Sequence, residues 1–429
     1  MKERPCVYVV LTFGYGGHVP TYHNLFLRGV MVSGVEVVSA CGWNPEVSAA
    51  SESWRKAGLN IDRLRLPVIP VMKTEIAARS AFRFLNWLPM RDRVWKALRE
   101  VGFLRTRRAR QRWRDTVQAI HSVEAMYPGS KLHVLITYID EYLAPGVSPA
   151  EVDRMMPCDW SCFYINAERN DLSLQQRARR AGWEQFMRAK TCRAIGVLDA
   201  DSAVLLTRNI GAENVVQFPD VVDLTLPDLN DEIAAEIHRR SNGRTVLGLV
   251  GQITPRKNLE MFVEMTKLCH SDRYFFAVVG ECEQMQFPKA IREWLVKGQR
   301  GELGNVFVSP RRVAGDSRFN AVCAACDILF AAYRDFRGSS NVIGKAAAFR
   351  KPIIVGRGYQ MEQIVRKWGT GVAIDERMAA QGASALDSIV EAVSNVNGPL
   401  KLDYAGYLRS ISMEAFGQSV LRLVGLDGD

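Results

Sequence analysis

Lys257 and Arg256 stand just beyond Gly251, where the apolar run Val246–Val250 gives way to a polar turn. Further along, Gly338, Ser339, Ser340 and Asn341 open an Ala-rich helical run. Cations at a strand end, and free N–H groups at the positive end of a helix dipole, are chemistry for an anion such as a diphosphate. Small residues let the backbone approach a phosphate, and the hydroxyls and amide add donors. If a bond to that diphosphate breaks, the leaving group gains negative charge, and preorganised cations and dipoles lower the barrier most. Lys257, expected in a surface turn, is therefore the candidate catalytic residue. Lys345 lies one helical turn after Asn341 and can only donate, which suits a phosphate or a carboxylate. Glu281, directly after Gly280, stands at a strand end where a ligand would sit. Two of these features also have a purely structural reading. Ser and Asn are favoured N-caps, and two basic residues after a strand are common on a solvated turn.

These residues need a scaffold that brings strand ends together. Between Thr245 and Glu376 the chain alternates buried strands with helical runs: Val246–Val250 into Gly251, Phe275–Val279 into Gly280, then Val306–Val308, Asp327–Ala332, and Pro352–Val355 into Gly356. Such alternation predicts a parallel sheet with its ligand beyond the carboxyl edge. The N-terminal half repeats the plan. Val7–Leu11 enters Gly14-Tyr15-Gly16-Gly17-His18, followed by a helix over Tyr22–Ser33 and a strand over Val35–Ala40. Gly16 and Gly17 either face a ligand or simply permit a tight strand-to-helix turn. Further strands are expected at His133–Tyr138, Trp160–Asn166, Ala194–Leu198 and Val215–Phe218. The domain expectation is 1–223, a linker at 224–243, a second domain at 244–403, and a helical tail at 404–429 that crosses back to the first domain.

The ordered segments of the second half resemble the donor-binding domain of retaining GT-B glycosyltransferases, particularly family 4 (glycosyl transferases group 1). Gly251, Lys257, Gly280, Glu281, Ala346, Ala348, Pro352 and the Ile353-Ile354 strand fall into the family's register. Pro219-Asp220-Val221-Val222-Asp223 resembles its P-N-G-V-D. The sequence also departs from the pattern: the family's Arg is Gln252, its two glutamates align with Arg337 and Lys345, and Asp220 and Val221 replace the usual Asn-Gly. Asp335 is a candidate for the missing carboxylate. Asn166 stands nearest to the place of a histidine that many relatives carry, so that role does not transfer. Glu362 matches a family helix start, where a carboxylate in the first turn is stabilising without any ligand. The resemblance implies two Rossmann-like doubly wound domains facing a cleft, and transfer of a sugar from a nucleotide-sugar donor to a glycan or lipid-linked acceptor. It implies neither metal nor cofactor. The missing glutamate pair keeps a second reading open, a catalytically inactive GT-B protein that binds a ligand or partner.

The 429 residues suffice for two domains with real cores. No run of about 20 apolar residues is present to span a bilayer. The N-terminus reads as a first strand rather than a signal peptide. Nine scattered cysteines fit a reduced cytoplasmic setting, and Cys323-Ala324-Ala325-Cys326 has no second pair at metal spacing. The net charge is +10, and residues 79–114, with 11 Arg and one Lys against Asp92 and Glu100, account for all of it. Trp95, Leu98, Val101 and Leu104 share one face of a helix among these arginines, a pattern for an anionic membrane surface. The same helix packed on its own domain with a basic solvated face is the plain alternative. Nucleic acid is the less favoured partner, since no reading motif accompanies the charge.

Overall fold

The computed structural model describes residues 5–13, 19–56, 58–70, 102–165, 167, 174–211, 214–336, 338–394 and 401–426. Gly16, Gly17, Asn166, Arg337 and residues 71–101, which include 79–101 of the basic segment, lie outside that set. The chain forms two compact units, residues 1–219 with 413–429, and residues 220–412.

The first unit holds a seven-stranded sheet: β1 (Cys6–Leu11), β2 (Glu36–Ala40), β3 (Leu64–Arg65), β4 (Lys131–Ile136), β5 (Asp159–Tyr164), β6 (Cys192–Val197) and β7 (Val215–Gln217). The order is β3-β2-β1-β4-β5-β6-β7, and every pairing is parallel. The second unit repeats this with six strands: β8 (Thr245–Val250), β9 (Tyr274–Val279), β10 (Val306–Ser309), β11 (Ile328–Ala331), β12 (Ile353–Gly356) and β13 (Gly371–Ile374). Their order is β10-β9-β8-β11-β12-β13, again all parallel. Each sheet reverses its winding once, between β1 and β4 and between β8 and β11. At such a switch point the loops leave in opposite directions and open a crevice at the carboxyl ends. The expected strands thus all form, within a residue or two of their predicted ends. Parallel strands covered on both faces must be apolar throughout, and β9, Tyr-Phe-Phe-Ala-Val-Val, is buried at every position.

Two segments differ from expectation. Residues 224–243, expected as a linker, belong to the second unit; they include the helix Glu232–Ser241, capped by the Asp231 carboxylate on the Ile233 and Ala234 N–H groups. The single helical run expected over Tyr404–Val424 is broken at Ser412 into Tyr404–Ser410 and Met413–Val424. The first piece packs in the second unit, and the second lies against the helix Val19–Met31 of the first unit. There Gly29 leaves room for the Val420 side chain.

The switch point of the first unit carries a buried polar chain. Thr12, just past β1, hydrogen-bonds Thr137, just past β4. The Thr12 hydroxyl also meets His23 Nδ1 at 2.8 Å, while His23 Nε2 meets the Ser39 hydroxyl at 2.9 Å. Burial pushes the imidazole down from 6.5 to about 3. The folded unit therefore holds His23 neutral while the unfolded chain protonates it. Stability from this group is full above about pH 6.5 and is lost as the pH falls toward 3. About 2 kcal/mol should disappear between pH 7 and pH 5. Urea titrations of wild type and His23→Gln test this. The variant should lose that part of the acid slope, and an equal slope in both would assign the acid sensitivity elsewhere.

The described part of the basic segment lies in the helix Gly102–Met126. Its face is docked on its own unit. Trp113 is fully buried, with ring centroids 4.8 Å from Tyr142 and 5.2 Å from Trp160. Arg105 Nε donates to Leu143 O at 2.7 Å, Arg110 pairs with Glu151 at 2.7 Å, and Arg112 pairs with Glu141 at 2.8 Å. Arg107 and Arg108 are exposed.

Candidate functional site

The second unit's switch point gathers the predicted residues around Lys257. After β8 the chain turns through Gly251 at φ +93° and a short 3-10 turn, Pro255–Lys257, before the helix Leu259–Leu268. Lys257 is not on the surface as expected. It is 6 % exposed, because the turn folds its side chain back under the end of β8. Its Nζ donates to Val250 O at 3.1 Å and to Tyr333 Oη at 2.5 Å, and lies 4.3 Å from the Tyr333 ring centroid. Tyr333 follows β11, so the lysine bridges the two strands on either side of the switch. An ammonium carries three N–H groups, and two are engaged here. The Tyr333 hydroxyl in turn approaches Ser340 Oγ at 3.4 Å.

Ser340 is the N-cap of the helix Asn341–Ala348, and its side chain makes no capping hydrogen bond. Ser339 Oγ is buried without a hydrogen-bond partner among the described residues. Asn341 is exposed at the helix start. The lysine, the tyrosine hydroxyl, two serine hydroxyls and the first N–H groups of a helix thus meet at one strand edge. That is a donor-rich surface with a buried cation behind it, the arrangement expected for a phosphate group.

Close backbone approach is built in. Gly280 ends β9 at φ +145°, and a Cβ placed there would overlap the Gly251 carbonyl. Glu281 beyond it is exposed, and its backbone carbonyl accepts from Ile253 N–H at 2.8 Å. Arg256 is exposed, with its guanidinium 4.5 Å from the Phe336 ring centroid.

Three residues sit differently from a ligand-contacting role. Lys345, 2 % exposed, donates through Nζ to Asp223 O at 2.6 Å and lies 3.5 Å from Asp223 Oδ1. It fastens the segment that leads into the second unit onto the Asn341–Ala348 helix, whose Gly344 packs against Val222. Lys345→Glu would set a carboxylate against Asp223 and should destabilise the unit by about 3 kcal/mol, read as a lower urea midpoint; an unchanged midpoint would contradict the lock. Asp335, at φ +48°, pairs with Arg377 at 2.8 Å. Glu362 accepts from Gly358 N–H at 2.5 Å and pairs with Arg366 at 2.8 Å, as a helix-start carboxylate does.

Sequence reasoning missed Tyr333 and Asn258. Asn258 is fully buried at φ +59°, and its Nδ2 donates to Ala332 O at 3.0 Å and Glu376 O at 2.6 Å. It ties the Lys257 turn to the ends of two other strands. The available signal was position, a polar-tipped residue directly after an apolar strand. Cys323 and Cys326 are fully buried, and burial pushes the Cys323 thiol up to about 12 although Lys345 and Lys257 pull the other way. Neither is placed for redox exchange. Among the described residues, no group of three or more His, Cys, Asp or Glu could hold a metal ion.

Residues 244–392, within the second unit, match the family described as Glycosyl transferases group 1. A search of curated proteins gives no match. Among solved structures, sucrose-phosphate synthase from Thermosynechococcus elongatus aligns at TM-score 0.60 and 14% identity, covering 98% of each chain. HepE of Anabaena in complex with UDP aligns at 0.59 and 10%, covering 98% of this chain and 99% of its own. WaaG, a glycosyltransferase of lipopolysaccharide biosynthesis, aligns at 0.51 and 14%, covering 99% and 100%. Identities this low speak to architecture, which with the two parallel sheets is the GT-B fold: two Rossmann-like α/β domains in one chain.

Proposed function

We propose that this chain is a glycosyltransferase that moves a sugar from a nucleotide-sugar donor to a glycan or lipid-linked acceptor, with retention of configuration. The observation that carries the reading is Lys257 bridging Val250 and Tyr333 at the β8/β11 switch point, beside the uncapped start of the Asn341–Ala348 helix. The family match over 244–392 supports it. The donor's diphosphate lies against Ser339, Ser340 and the helix N-terminus. Lys257 offers its remaining N–H to the oxygen that gains charge as the sugar departs. Arg256 adds a second cation at the rim, and Gly251 and Gly280 let the donor approach the backbone. Gly16 and Gly17 bring backbone N–H groups to the donor or the acceptor. Protein cations and dipoles neutralise the phosphates, so no metal is required. Incubation with a panel of nucleotide sugars, reading free sugar, tests the reading; slow hydrolysis of one donor is expected, and silence across the panel would contradict it.

A second reading, a GT-B protein that binds its nucleotide sugar without turnover, is favoured by Lys345. The residue at the place of a family glutamate is locked onto Asp223 and contributes no carboxylate. Saturable donor binding with no sugar release would select it.

The chain acts in the cytoplasm at an anionic membrane, held by residues 79–114. Arg107 and Arg108 are exposed on its described part, and each should contribute on the order of 1 kcal/mol at low salt. Changing both to Ser should weaken association with acidic vesicles by about tenfold or more. If wild type stays in the supernatant with acidic and neutral vesicles alike, the membrane assignment is wrong.

A further inference from the structure

Two loops leave the second unit's sheet side by side. Gly280 N–H donates to Ser309 O at 3.0 Å, so the turn after β9 and the turn after β10 start as neighbours. The first carries Glu281; the second runs Ser309-Pro310-Arg311-Arg312. Glu281, Arg311 and Arg312 are all exposed, and none has a side-chain hydrogen-bond or ion-pair partner among the described residues. Arg244, Arg318, Arg334 and Lys345 of the same unit are each satisfied by carbonyls or carboxylates. A carboxylate and two guanidiniums left unpaired among the described residues on adjacent strand ends, two and three strands along the sheet from the phosphate-facing end of β11, are available to a ligand.

We infer that Glu281 with Arg311 and Arg312 reads the base of the donor, and that the base is guanine. The inference rests on the nucleotide-sugar reading above. A carboxylate accepts two parallel N–H donors, and guanine offers such a pair, N1–H beside the N2 amino group. Guanine's other edge presents O6 and N7, two acceptors spaced for one guanidinium. Uracil has a single N–H flanked by two carbonyl oxygens, which repel a carboxylate. Adenine puts an amino group where guanine has O6, facing a guanidinium with a donor. The side-chain set is therefore complementary to guanine and mismatched to the other two.

The test is calorimetric titration of the full chain with GDP, UDP, ADP and inorganic pyrophosphate. GDP should bind about tenfold or more tightly than UDP or ADP, since one good bidentate contact supports that discrimination. Glu281→Gln should reduce the preference for GDP severalfold while leaving pyrophosphate binding and the melting temperature unchanged. IDP, which lacks the N2 amino group, should bind wild type more weakly than GDP and bind the variant about as well as GDP does. UDP or ADP binding as tightly as GDP would overturn the guanine assignment while leaving the diphosphate site standing. GDP preference that survives intact in Glu281→Gln and in Arg311→Ala/Arg312→Ala would overturn the assigned residues. Failure of every nucleotide and of pyrophosphate to bind would instead overturn the reading on which the inference rests.

Discussion

Lys257→Met should lower donor turnover by about 10²-fold or more, the loss expected when one preorganised donor is removed from a developing anion. Methionine is the informative replacement because the position is buried. Alanine would leave a cavity beside Tyr333, whereas methionine fills a similar volume and removes only the charge and the N–H groups. The Val250 carbonyl would lose a hydrogen bond, so stability should fall by about 1 kcal/mol, far too little to account for the rate. Donor affinity should change much less than turnover, because the lysine acts most strongly on charge that develops during the reaction. Single-turnover kinetics separates the two quantities. Unchanged single-turnover rates in a folded variant would remove Lys257 from the mechanism and leave it a structural bridge between β8 and β11.

Ser340→Trp should abolish donor binding while the melting temperature stays near that of wild type. Ser340 caps no helix N–H with its side chain and contacts the Tyr333 hydroxyl only at 3.4 Å, so little native bonding depends on it. An indole at the helix start would cover the N–H groups that a phosphate needs and exclude the close backbone approach. Titration with the preferred nucleoside diphosphate should give no measurable heat. Wild-type affinity in this variant would place the diphosphate elsewhere.

The strands of both sheets were legible in sequence because a parallel strand covered on both faces must be apolar throughout, and runs such as Tyr274–Val279 have no other economical fate. Their ends were legible where glycine takes a conformation other residues resist, as at Gly251 and Gly280. What remained hidden was pairing across long separations. Lys257 read as a surface cation because its partner Tyr333 is 76 residues away, and nothing local marks a lysine that folds inward. Lys345 read as a ligand contact for the same reason, since Asp223 is 122 residues away. The arginines of the Gly102–Met126 helix carry a charge excess obvious in sequence. Which of them are spent on Glu141, Glu151 and the Leu143 carbonyl depends on packing that composition does not encode.

The most direct measurement is a crystal structure of the chain with its preferred nucleoside diphosphate. The account predicts a phosphate oxygen within hydrogen-bonding distance of Lys257 Nζ, and a second against the N–H groups that open the Asn341–Ala348 helix. A diphosphate bound away from both, with Lys257 still closed on Val250 and Tyr333 alone, would contradict it.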